Sequence, residues 1–362
     1  MLLISLILAI LLERFFPAPF GAIEDVLSNF LTTVKNKLNT GEKLTAIISW
    51  FSVTLLLGLI GWLLWLLCNL IHPILSLVFS IFILYLSFGF SNFINRFNNI
   101  QKCLKNGDLV DARKHLQDWA NFVGADPVVF STAKSGDSLS VTRETIRLGI
   151  LAAQRNLFGV IFWYLVLPGP LGPIIYRVSV QAMKEWNDYT NNQQNLSDQE
   201  NSTKKTEDPS NTKKTTADPI DSDNLRDIPD FFGEISKKGF FWVDWVSSRT
   251  TAFIFAIVGN FEDAIQMIRA RSAMVSKQGY DSERIILSAG EGAMTLRLTI
   301  PVATSGFEDF ENIRSTDYIV PDLREVDENS MRILTGLIWR ALFLWFFVLM
   351  LITLGYLSNV LT

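Results

Sequence analysis

The sequence predicts an all-α fold: a polytopic integral membrane protein with a helical cytoplasmic layer and a disordered polar insertion. Three observations predict it. Hydrophobic residues make up 49% of the chain, and mean hydropathy is positive in spite of 68 charged side chains (32 basic and 36 acidic). Two uncharged runs, 46–68 and 74–90, each approach or exceed the length that crosses the bilayer core, about 20 apolar residues at 1.5 Å each. Residues 187–230 then change composition completely, to Asn, Ser, Thr, Lys and Asp with a near repeat (TKKTEDP, TKKTTADP), which cannot bury a core. The chain accordingly divides into an N-terminal membrane part with its cytoplasmic loop (1–186), a linker (187–230) and a C-terminal part (231–362).

Taken in order, MLLISLILAILL has the apolar core of a signal peptide but no preceding basic residue and no small-residue cleavage pattern. It reads as a retained short helix, inserted or interfacial, that Glu13-Arg14 ends. A break at Pro17 and Pro19 leads to an amphipathic piece from Ile23 to Leu38. The two uncharged runs follow, and the turn at Asn69, His72 and Pro73 makes them an antiparallel hairpin.

In 91–155 basic residues outnumber acidic ones, so by the positive-inside rule this loop is cytoplasmic. Within it NGDLVDARKHLQDWANFVGADP reads as a helix that starts after Asn106-Gly107 and ends near Gly124. Its apolar stripe is Val110, Leu116, Trp119 and Val123. Glu144, Leu151 and Arg155 fall on one face of an ideal helix, within about 20°. Three prolines and two glycines in residues 168–173 must break the next helix, as an interhelical turn or as a re-entrant loop facing a polar cavity.

Beyond the linker, FFWVDWVSSRTTAFIFAIVGNFED (240–263) is apolar over most of its length yet carries Asp244 and Arg249. Such groups in a membrane need a partner, in a structural ion pair or a ligand. Five residues apart, they are about 140° around a helix, so each looks to another segment; for Arg249 the expectation is Glu144 or a bound anion. Gly290 and Gly292 flank Glu291 and allow a backbone or a ligand close approach, and 295–300 suits a short strand or a distorted helix end. Leu337 to Val360 is a final transmembrane helix.

Soluble chemistries find no motif: there is no Walker loop, no GxGxxG, no HExxH and no nucleophile elbow. Two cysteines and two distant histidines supply neither a disulfide framework nor a metal knuckle. Basic residues are spread out and balanced by acids, which argues against nucleic-acid binding.

NGDLVDARKHL with VGADP, GPLGPIIYR, WVDWVSSRTTA with GNFEDA, and SAGEGAM together resemble the CobD/CbiB family of membrane proteins, in the same order along 96–300. The N-terminal LLERFF and the RNLFGVIFW segment look more like the AmpE proteins, relatives that share this fold. The resemblance implies a multi-pass protein of the bacterial inner membrane, in contact with membrane lipid. In its enzyme members it implies attachment of an aminopropanol arm to cobyric acid by an amide-forming step. Arg113, Asp126, Tyr176, Arg177 and Arg249 match the family's residues and are the implied ligand-binding set, with Arg113, Arg177 and Arg249 on the phosphate or propionate groups of a corrinoid. The family's Gly-Arg-Asp-Thr stands here as Gly124-Ala125-Asp126-Pro127, its Glu-Asn as Arg155-Asn156, and its Asp-Asp as Phe240-Phe241. Most carboxylates that would hold a magnesium nucleotide or act as a base are thus replaced. No cofactor or catalytic residue is assigned. The AmpE side implies a non-catalytic sensor or scaffold in cell-wall recycling and β-lactamase regulation.

Overall fold

The computed structural model describes residues 2–17, 20–123, 137–204, 231–273, 281–298, 321–327 and 329–361, with side chains omitted at 20, 188–204, 271–273, 281 and 356–361. The described residues are helical almost throughout and form no strand; one isolated parallel bridge joins Leu296 to Arg324. Four stretches are long and apolar enough to cross a membrane: Lys43–Ile71, Pro73–Lys105, Ser138–Val166 and Ser330–Gly355.

Helix α1 (Leu2–Phe15) has 14 residues, about 21 Å of rise, which is short of the about 30 Å hydrocarbon core. It packs on α4 (Pro73–Ser87), and its Ser5 hydroxyl meets the Tyr164 hydroxyl at 2.5 Å. Amphipathic α2 (Phe20–Leu38) docks on α9 (Leu171–Lys204) by crossed hydrogen bonds. Lys35 Nζ donates to the Trp186 carbonyl at 2.7 Å, and Trp186 Nε1 donates to the Leu31 carbonyl at 3.1 Å. The hairpin of α3 (Lys43–Ile71) and α4 turns at His72, as the sequence predicts. The turn is fixed there because Pro73 opens α4 and the His72 ring accepts from the Ile74 amide at 3.1 Å.

Helices α5 (Phe90–Lys105) and α6 (Leu109–Val123) form the polar layer, joined by a turn at Gly107, where φ is +75°. Leu116, Trp119 and Val123 are buried as the periodicity predicts, but Val110 is 75% exposed. Ala112 and Ala120 take the inner positions, so the buried stripe of α6 is partly alanine, which hydropathy alone does not reveal.

A third candidate span begins with α7 (Ser138–Ala153), passes through a π-helical turn (Gln154–Phe158) and ends with α8 (Gly159–Val166). Of the four stretches it is the most enclosed, with 78% of its most apolar window buried by the other helices. The π turn interrupts regular helical spacing at Arg155, so the ideal-helix alignment with Glu144 does not carry through it. The Pro-Gly segment is an interhelical turn: α8 ends at Val166, Gly169 takes φ +60°, and α9 starts at Leu171 and packs against α8. Pro173 is tolerated in the first turn of α9, where its missing amide costs no helical bond.

Helix α9 continues to Lys204 and so takes in the first 18 residues of the stretch expected to be disordered; 205–230 lie outside the described residues. Extension from a packed stem adds one bond per residue without a new nucleus, so a polar sequence can prolong it. Helix α10 (Phe231–Val258) is the central element, packed on α9, α3, α11 (Phe261–Ala273), α12 (Asp281–Met294) and α13 (Ser330–Leu361). The N-terminal and C-terminal parts share one core, in which Phe158 meets Phe255 edge-on at 5.6 Å. A smaller core joins α2, α3, α9 and α10 around Trp50, Trp186 and Phe232.

After α12 the chain leaves the helix at Thr295, with φ 55°, so of the two readings of this region the helix end applies over 295–298. The glycines resolve as packing. A Cβ at Gly292 would lie 2.5 Å from Ala264 Cα and from the Asp263 carbonyl oxygen, which is backbone of α11. At Gly290 it would lie 2.7 Å from Ile150.

Candidate functional site: a buried polar layer

The polar side chains that an apolar bundle should avoid converge where the π turn, α9 and α10 meet. Asp244 is buried, and its Oδ1 accepts from Tyr176 Oη at 2.9 Å, Gln154 Nε2 at 2.9 Å and Ser247 Oγ at 2.8 Å. Three donors on one carboxylate oxygen offset much of the cost of burying it. The fit depends on Gly159, because a Cβ there would fall on the Tyr176 ring. Gln154 Oε1 is buried with no hydrogen-bond partner among the described residues.

Next to Tyr176 on α9, Arg177 donates from Nη1 to Asn156 Oδ1 at 3.0 Å and from Nη2 to Glu24 Oε1 at 3.4 Å. Lys184, seven residues on and therefore on the same face, donates to the same Glu24 oxygen at 3.1 Å. Burial pushes the Lys184 ammonium below the usual lysine range, and the Glu24 charge works against that shift. Lys184 also sits 4.5 Å from the Phe122 ring centre, and Arg96 of α5 lies over that ring at 4.1 Å. Arg155 donates to the Val123 carbonyl at 2.8 Å and pairs with Glu283 of α12.

The ligand-binding set expected from the resemblance is therefore divided. Tyr176 and Arg177 lie in this layer, on adjacent positions of α9. Arg113 is half-buried on α6, in the polar layer formed with α5. Asp126 lies outside the described residues. Arg249 lies with its guanidinium 4.0 Å from the Trp245 ring centre and donates to the Trp245 carbonyl at 3.1 Å, along its own helix. Glu144 takes bonds from Arg147 on both oxygens, each at 3.0 Å. Glu24, Gln154, Lys184 and Glu283 escape a reading of the sequence because their partners are distant in the chain. The one local signal is the cation pair Arg177 and Lys184 at heptad spacing on a helix face that otherwise carries Val180 and Gln181.

Among the described residues no group of three His, Cys, Asp or Glu side chains is placed to hold a metal ion. Chemically, the layer is a set of internally answered charges around Glu24, Asp244 and Glu283. Comparison with protein-family models, with curated proteins and with solved structures finds no match to this chain.

Proposed function

We propose that this chain is a multi-pass membrane protein of CobD/CbiB type that acts without ligase chemistry, as an AmpE-like sensor or scaffold. One observation carries the reading: three carboxylates of the polar layer, Asp244, Glu24 and Glu283, are engaged by the chain's own cations and donors, while Glu13 beside Arg177 keeps one buried oxygen without a hydrogen-bond partner among the described residues. Asp244 is held by Tyr176, Gln154 and Ser247, Glu24 by Arg177 and Lys184, and Glu283 by Arg155. An amide-forming step needs a carboxylate within reach of the proton it removes and a hold on the activated carboxyl group, and carboxylates engaged in this way do not supply them. The excess of basic residues in 91–155 supports a cytoplasmic α5–α6 layer, and the resemblance supports a bacterial inner-membrane location. The resemblance to AmpE proteins supports a role in cell-wall recycling and β-lactamase regulation.

The second reading, participation in cobalamin biosynthesis, is favoured by the surplus of cations near Glu24, where Arg96, Arg177 and Lys184 gather. In this reading Arg113, Arg177 and Arg249 would serve a corrinoid or phosphate-bearing ligand, with Arg177 alone of the three at Glu24. Purified protein supplied with adenosylcobyric acid, aminopropanol phosphate, ATP and magnesium separates the two. The expected outcome is no amide product, with a deletion strain that keeps its cobalamin and changes its response to β-lactams. Turnover in the assay, or cobalamin loss on deletion, overturns the non-catalytic reading.

A further inference from the structure

Beside the buried layer, α5 and α6 enclose a polar cleft of about 270 Å³, lined by Asn92, Asn95, Arg96, Asn99, His115 and Asp118. The α5 residues stand at i, i+3, i+4 and i+7, so four polar side chains share one helix face. Asparagine is a poor helix former because its amide competes for backbone bonds, and α5 carries it at 92, 95, 98 and 99. Local propensity is sacrificed on this helix, and such departures mark functional surfaces.

Arg96 is the anchor of the cleft. Its Nε donates to Asn92 Oδ1 at 3.1 Å and its plane lies over the Phe122 ring, so the side chain is held at two points. Its two terminal nitrogens have no hydrogen-bond partner among the described residues. Behind the same ring stands Lys184, whose one hydrogen-bond acceptor among the described residues is Glu24. The charges that act on Arg96 are those of Glu24 and Asp118, and Glu24 is itself shared with Arg177 and Lys184, so Glu24 is divided among three cations. The held guanidinium stands beside carboxamides that both donate and accept.

We propose that this cleft binds a small hydroxylated oxyanion, its anionic group on Arg96 and its hydroxyls on Asn95, Asn99 and Asp118. A fixed guanidinium matches an oxyanion fork to fork, and a carboxamide or carboxylate can take a hydroxyl hydrogen. The cleft is small and half open to its surroundings, which suits a small solute or a lipid headgroup. None of the residues lining the cleft is a carboxylate on which the sensor reading rests, although Glu24 acts on Arg96 from behind it, and binding here is measured whether or not that reading holds.

The test uses full-length protein in phosphatidylcholine nanodiscs and reads thermal stabilisation and calorimetric heat. sn-Glycerol 3-phosphate is the probe, with glycerol and with sodium chloride at equal ionic strength as controls. Nanodiscs containing phosphatidylglycerol supply the same chemistry from the membrane. The expected result is stabilisation by glycerol 3-phosphate or by phosphatidylglycerol, and by neither control; the arm that responds identifies the source. Arg96→Gln weakens the response about tenfold or more, the scale of a lost charge-assisted bond. The double variant Asn95→Ala/Asn99→Ala folds at least as stably as the parent, since alanine is the better helix former, yet loses the response. No stabilisation in either arm beyond the controls, or an undiminished response in the double variant, overturns the proposal.

Discussion

Single side chains settle where the helices begin and which charges the interior tolerates. Asp137 caps α7, its Oδ1 accepting from the Ser140 amide at 3.0 Å and hydroxyl at 2.7 Å. Those bonds hold the carboxyl below its ordinary value. A depressed carboxylate stabilises the fold above its unfolded-state pKa, and that stabilisation is lost as pH falls through the folded-state value. Asp137→Ala should therefore cost about 1 kcal/mol at neutral pH, and the gap from the parent should close in acid below the normal aspartate range; denaturant unfolding at several pH values checks both. Glu24 presents the opposite case, one buried carboxylate oxygen serving Arg177 and Lys184. Breaking a buried pair strands a charge, at about 3–5 kcal/mol. Glu24→Gln withdraws the carboxylate from both cations, leaving Arg177 its bond to Asn156, and should destabilise more than Lys184→Met, which leaves Glu24 with Arg177. Equal unfolding midpoints for the two variants would refute this account of the layer.

Elements pack closely where glycine lets backbones meet. Helices α11 and α12 touch at Gly292, and the atoms a Cβ would strike there are backbone, which cannot rotate away. Gly292→Ala should cost about 1–3 kcal/mol as overpacking. Gly336 of α13 offers the control, since nothing lies within 4 Å of its Cβ position. Gly336→Ala should stabilise by up to about 1 kcal/mol through helix propensity. Thermal unfolding of the two variants in one detergent reads the opposite signs. The final helix shows how an element's start and one internal charge are fixed together. Ser330 and Asp327 bond reciprocally at its start, and Arg340 donates to the Val258 carbonyl at 2.8 Å, answering an open carbonyl at the end of α10.

At the scale of the whole molecule, α3 turns its leucines outward along its length, as lipid contact requires, while α7 to α8 is wrapped by other helices. Cys68 lies near the hairpin turn and Cys103 near the far end of α5, at opposite ends of the candidate span Pro73–Lys105. In sealed vesicles a membrane-impermeant maleimide should label one of them in each vesicle orientation. Labelling of both in a single orientation would show that this stretch does not cross. The expectation from basic residues is that Cys103 faces the cytoplasm.

The α3–α4 hairpin, the start of α6 after Gly107 and the apolar body of the final helix are legible because each rests on local rules: uncharged run length, Pro73 at a helix start, glycine in a turn; the final helix itself starts at Ser330, seven residues before the Leu337 that hydropathy indicates. Tyr176 and Arg177 were reached by resemblance, and Asp244 by the cost of a charge in an apolar run. Val110 was misjudged because a hydropathy stripe does not say which side of α6 faces the core when alanines can line it. The pairing of Glu24 with Arg177 and Lys184, the triple acceptance at Asp244 and the cleft facing Arg96 were decided only by tertiary structure. Apart from the local bond of Ser247 to Asp244, the pairs at Asp244 and Glu24 join residues 68 to 160 positions apart and the cleft joins two helices, and partners of that kind leave no periodic trace. The sequence by itself determined that this chain is helical and where its apolar spans lie, because helix formation and lipid-length runs are properties of neighbouring residues. Packing determined which polar groups neutralise one another and which still face open space, because burial and pairing depend on what the other helices bring.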